Sequence, residues 1–167
     1  MYDISAGVPH LRVENRLLAA GPTVVDTMAN AAFYFGLVRT VAEDERPLWS
    51  QMSFSAAEEN FHSAAQLGVD AQVYWPGVGQ VRATELVLRR LLPMAHRGLE
   101  AWGVEAAERD RLLGIIEQRC LTGVTGSEWF VRRMGRHADL DRYDALRLTL
   151  LSYAENMHSN EPVHTWE

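Results

Sequence analysis

The sequence predicts an α+β chain that is predominantly helical, with one clear strand near the N terminus followed by about five or six helices. Three observations carry this expectation. The stretch 10–16, HLRVENR, is short, holds a central valine and is followed by the Gly21-Pro22 breaker, as a strand would be. Beyond it, apolar residues recur at helical spacing through most of residues 22–158. Helix-starting residues such as Thr23, Ser55 and Asp141 and helix-ending glycines such as Gly68 and Gly123 punctuate those segments.

The strand, taken as residues 8–17, alternates its side chains between two faces. His10, Arg12, Glu14 and Arg16 then share one face, and Leu11, Val13 and Leu17 the other, with Asn15 as the polar exception. Two arginines around one carboxylate can hold an anion and a metal. The same row also reads as a surface strand whose cross-strand ion pairs each contribute little. In either reading the strand needs a neighbour, because its backbone donors and acceptors must pair. The few residues before it offer almost no lead-in, and the rest of the chain contains few candidate strands.

The helices follow in order. Thr23 and Asp26 form a capping-box-like start behind Pro22, and Val24, Val25, Met28, Ala31, Ala32, Phe35 and Val38 mark a face expected to be core up to residue 42. Ser55 with Glu58 suggests a second capping box, for a helix closing at Gly68. Residues 71–75 read as a short strand stopped by Pro76-Gly77, and Gly77-Val78-Gly79 as a turn, too short for a nucleotide-binding glycine fingerprint. Residues 84–103 read as a helix that Pro93 kinks or breaks near Leu92. Residues 105–121 follow, with Leu112, Leu113, Ile115, Ile116 and Cys120 inside. The basic stretch around Arg132, Arg133, Arg136 and His137 is surrounded by acids and reads as a solvated helix face. Asp141 caps a last helix to about Met157, and in the extended tail, 159–167, Trp166 is expected to dock. The whole, residues 1–167, reads as a single domain.

Composition excludes several functions. With 167 residues and 47% apolar content, the chain can bury a core. It contains neither an eighteen-residue apolar run nor a charged-then-apolar leader, so no membrane role and a cytoplasmic location are expected. The net charge of −6 argues against nucleic acid. All 16 basic residues are arginine, which removes Schiff-base chemistry, pyridoxal phosphate attachment and the P-loop lysine together. Any anion held here is held by guanidinium forks. A GC-rich genome produces the same bias. The one cysteine, Cys120, cannot form an internal disulfide and reads as a small buried hydrophobe.

Two other constellations compete with the strand. Glu59 with His62 and Glu155 with His158 are Glu-x-x-His steps of the kind found in dimetal four-helix bundles, although the 23–42 helix supplies no internal glutamate. The six histidines show no close zinc spacing, and no Gly-x-Ser-x-Gly elbow occurs.

The phrases GVPHLRVENRLLAAGPTVVDTMANAAFYFGLVR, RPLWSQMSFSAAEENFH, DAQVYWPGVG, TELVLRRLLP, RDRLLGIIEQRCLTG and NEPVHTW resemble the C-terminal part of an actinobacterial branch of the glutamate-cysteine ligase family 2, the carboxylate-amine ligases. The resemblance implies a glutamine-synthetase-like catalytic fold, of which this chain would hold one active-site strand and the helical C-terminal region. It implies ATP and Mg2+ as cofactors and glutamate with cysteine or another amine as substrates, joined through a γ-glutamyl phosphate. By the same resemblance Glu14 would contact magnesium or the substrate ammonium, while Arg12 and Arg16 would bind phosphate or the substrate carboxylate. One carboxylate cannot build a multi-metal ATP site. The expectation is therefore a fragment that needs a partner chain supplying the missing sheet, the alternative being a non-catalytic helical module that binds a partner through its strand edge.

Overall fold

The computed structural model describes every residue except Met1, Ala6, Arg12, Val13, Leu17 and Ala19, and only the backbone at residues 2–5, 10 and 11. It is predominantly helical with two small antiparallel ribbons, an α+β arrangement. Strands β1 (Tyr2–Ser5) and β2 (Val8–Leu11) pair from Tyr2 opposite Leu11 to Ser5 opposite Val8. The lead-in that seemed too short for a strand is thus the partner strand itself. Among the described residues Tyr2 opposite Leu11 is the outermost pair, and Glu14, Asn15 and Arg16 have no regular structure. The strand expected over residues 8–17 is therefore shorter, and Arg12, Val13 and Leu17 lie outside the described residues.

Helix α1 (Val24–Ala42) is the centre of the molecule. Its buried residues are Asp26, Ala29, Ala32 and Gly36, not the large apolar residues expected in the core. Val24, Met28, Phe35 and Val38 are instead exposed, from 44% to 71%. Close packing explains the reversal. Helix α4 (Leu92–Ala101) crosses α1 so tightly that a Cβ on Gly36 would meet the Ala95 carbonyl oxygen, and one on Gly98 the Gly36 carbonyl oxygen. Small residues set this approach, and the Thr40 hydroxyl donates to the Met94 carbonyl across it at 2.6 Å. Helix α5 (Ala106–Thr122) completes the core with Leu112, Leu113, Ile115 and Ile116, as its apolar spacing predicts.

Ser53 caps α2 (Phe54–Leu67), accepting from the Ala56 amide at 3.2 Å. Ser55, the expected cap, lies inside the helix, where its hydroxyl reaches Glu59. The second ribbon joins β3 (Gln72–Trp75) to β4 (Gly79–Arg82) through the glycine turn, where Gly77 and Gly79 take φ of 75° and 85° that other residues rarely adopt. The outer edge of β3 is covered by α2: the Asn60 amide donates to the Tyr74 carbonyl at 2.7 Å and accepts from the Tyr74 amide at 2.6 Å. The side chain takes the place of a neighbouring strand.

After the short helix α3 (Ala83–Leu86), residues Val87–Leu91 form a π turn in which the Leu92 amide bonds the Val87 carbonyl. Pro93 accounts for the irregularity expected near Leu92. It has no N–H for the Arg89 carbonyl, and its ring would strike that carbonyl in a regular helix, so the chain widens by a turn before α4. Helices α6 (Gly126–Gly135) and α7 (Arg142–Ser159) are capped by Thr125 and Asp141. The tail returns as expected: Trp166 stands edge-on to Trp129 at 5.2 Å and to Tyr153 at 5.4 Å.

One buried charge ties these parts together. Asp26 is fully buried and accepts from the Thr23 hydroxyl at 2.9 Å, the Arg119 guanidinium at 2.5 Å and the Val163 backbone amide at 3.1 Å. Arg119 also donates to Asn30 at 2.7 Å. Helix α1, helix α5 and the tail thereby meet at one carboxylate.

Two outcomes follow for stability. Asp26→Ala leaves the Arg119 charge and the Val163 amide unpaired and is expected to cost ~3–5 kcal/mol in urea denaturation. Gly98→Ala forces two backbones apart and is expected to cost ~1–3 kcal/mol in the same measurement, whereas Gly114→Ala, where a Cβ meets nothing within 4 Å, removes a helical glycine without a clash and leaves stability equal or higher.

Candidate functional site

The site read from the sequence lies just past β2. Arg16 donates through Nη2 to the Glu14 carboxylate at 3.0 Å, with the two side chains 79% and 51% exposed. The pairing of an arginine with the carboxylate two residues before it does not need strand alternation, since the irregular backbone brings the two together. Arg12, the third member, lies outside the described residues. An ion pair this exposed contributes little to stability. Chemically it is one hard carboxylate and one guanidinium fork facing solvent.

Magnesium needs six oxygens and commonly takes one or two from carboxylates and the others from phosphate and water. Glu14 fits as one such ligand. It does not fit as a complete site: among the described residues no three His, Cys, Asp or Glu side chains converge in a way that could hold a metal. The same holds for the two Glu-x-x-His steps, which fall on α2 and α7, the first with His62 edge-on to Phe61 at 5.6 Å.

The remaining reactive groups are structural in their surroundings. Cys120 is half-buried in α5, and burial raises its thiol pKa above the ordinary value, which keeps it a thiol. Burial likewise raises the Tyr153 phenol, with the Asp26 charge adding to the effect. In the basic stretch, Arg132 pairs with Glu128 at 2.7 Å and Arg133 donates to the Ser152 hydroxyl at 2.9 Å, in keeping with an ordinary helix face. Among the described residues no helix is long and apolar enough to cross a membrane.

No family model, curated protein or solved structure matches the chain.

His164, which no sequence pattern singled out, lies beside the Asp26 and Arg119 pair. Burial lowers its pKa below the ordinary 6.5, opposed by Asp26 and assisted by Arg119. With a depressed folded-state pKa, the unfolded chain takes up the proton first as pH falls. The contribution of neutral His164 is complete above 6.5 and is lost as pH drops through its folded-state pKa. Urea midpoints measured at pH about 7.5 and about 5.5 are expected to fall further in the native protein than in His164→Gln.

Proposed function

We propose that this chain is the C-terminal portion of a glutamate-cysteine-ligase-type, ATP-dependent carboxylate-amine ligase of the cytoplasm. Its fold is the helical part of a glutamine-synthetase-like domain, completed by sheet from outside this chain. In this reading Arg16 and Arg12 neutralise phosphate or the substrate carboxylate, and Glu14 offers one oxygen ligand to magnesium or a contact to the substrate ammonium. Bound magnesium and ATP supply the phosphoryl group that activates glutamate for attack by cysteine or another amine. The protein's own share is positioning and charge neutralisation, which guanidinium forks provide well.

The observation that carries the reading is the exposed Arg16–Glu14 pair directly after a two-stranded ribbon, at the positions where the family resemblance puts substrate and metal contacts. Each strand of that ribbon has one partner strand among the described residues, and in this reading further strands come from elsewhere. On its own the chain offers one carboxylate there, so turnover requires the complementary sheet.

A second reading is favoured by α1. That helix carries two charged residues, Asp26 buried and Arg39 paired with Glu43, and it leaves Val24, Met28, Phe35 and Val38 uncovered at spacings of four, seven and three, which keep them near one side of the helix. A helix apolar all round belongs inside a larger structure. This suits a helical partner-binding module as well as a ligase portion.

Calorimetric titration with magnesium-ATP, with and without glutamate, separates the two. The ligase reading expects binding that Arg16→Ala weakens about tenfold or more, without loss of fold because the pair is exposed. A folded chain that binds no magnesium-ATP, or binds it equally well as Arg16→Ala, overturns the ligase site and leaves the module.

A further inference from the structure

A cleft of about 420 Å³ opens between the segment after α1, the β3–β4 turn and the π turn leading into α4. Four arginines line it: Arg46, Arg89, Arg90 and Arg97. Asp44 is the one carboxylate in its wall, and that carboxylate accepts from the Arg46 backbone amide at 2.9 Å. Arg89 pairs with Glu85 at 2.8 Å, while the guanidinium groups of Arg46, Arg90 and Arg97 have no carboxylate partner among the described residues. Trp75 and Pro93 form apolar walls.

This concentration runs against the composition. The chain has 22 acidic residues to 16 arginines, yet four of those arginines border this one cleft beside a single carboxylate. Here acids are sparse, and cations from three separate parts of the chain border one concavity. Gathering like charges is unfavourable unless an anion offsets it. The π turn places Arg89 and Arg90 at this wall, and such turns recur at functional sites. The volume falls in the range of small-molecule pockets and exceeds what a lone ion needs.

We infer that this cleft binds a small ligand carrying more than one phosphoryl group, held by Arg90 and Arg97 with Arg46 closing from the opposite segment. Guanidinium forks make two-point contacts with phosphoryl oxygens, and three unpaired forks call for several such oxygens. The inference goes beyond the ligase reading, because neither Glu14 nor Arg16 lines the cleft.

The test is calorimetric titration with inorganic pyrophosphate, without magnesium, of the native chain, of an Arg90→Gln/Arg97→Gln double variant and of Arg16→Ala. Native protein and Arg16→Ala are expected to bind alike, the double variant about tenfold or more weakly. Both replaced side chains are exposed and unpaired, so helical content and thermal midpoint stay as in the native chain, which circular dichroism checks. Absence of pyrophosphate binding to the native chain, or equal binding by the folded double variant, overturns the site. Citrate binding as tightly as pyrophosphate overturns the phosphoryl assignment. A loss confined to Arg16→Ala instead moves the anion to the segment after β2 and also sinks the cleft.

Discussion

The fully buried carboxylate of Asp26 is the constraint on which the arrangement of the helices depends. A buried charge is costly without partners, and here each partner comes from a different part of the chain: Thr23 from the helix start, Arg119 from α5 and the Val163 amide from the tail. None of these contacts can be kept if α5 or the tail shifts by much. The tail also returns the favour at the helix start, where the Asn160 side chain accepts from the Val25 amide at 3.1 Å. Negative charge at the N-terminal turn of α1 further matches the positive end of the helix dipole. Apolar packing supplies the bulk of the burial, while this carboxylate selects one way of assembling it.

Local signals in the sequence proved reliable where the physics is local. The Thr23 and Asp141 caps, the glycine turn between β3 and β4, the stop at Gly123 and the disturbance ahead of Pro93 are all decided within a few residues. The apolar face of α5 was equally legible, because its charged residues mark the other side. Helix α1 was not. Its sequence is apolar on most sides, so spacing alone does not say which side turns inward: of the expected face Ala32 is buried, while Ala29 and Gly36 are the small residues that the spacing did not mark. The deciding fact is the backbone approach of α4, a long-range contact that no window of α1 contains. The cap of α2 was ambiguous locally: two serines two residues apart both precede a plausible first turn, and the helix starts at the earlier one, Ser53 rather than Ser55.

The candidate site was readable in part. The identity of its charged residues came from the sequence, and the Glu14–Arg16 contact exists, but on irregular backbone rather than along a strand face. The arginine cleft left no mark in the sequence, because Arg46, Trp75, Arg90 and Arg97 belong to segments that only the packing of α1 on α4 brings near one another.

The π turn at Val87–Leu91 also has a meaning for how this surface could arise. A wide turn holds one residue more than the α turn it replaces, so a chain one residue shorter there would run as an unbroken helix into α4. In that shorter chain everything before the turn would be rotated by roughly 100° against everything after it. Arg89 and Arg90 would then swing away from Arg97 without any change of amino-acid type. The charge lining the cleft is thus a matter of chain length as much as of composition. A single inserted codon, tolerated because a proline already disfavours the regular helix, suffices to create such a wall in one step.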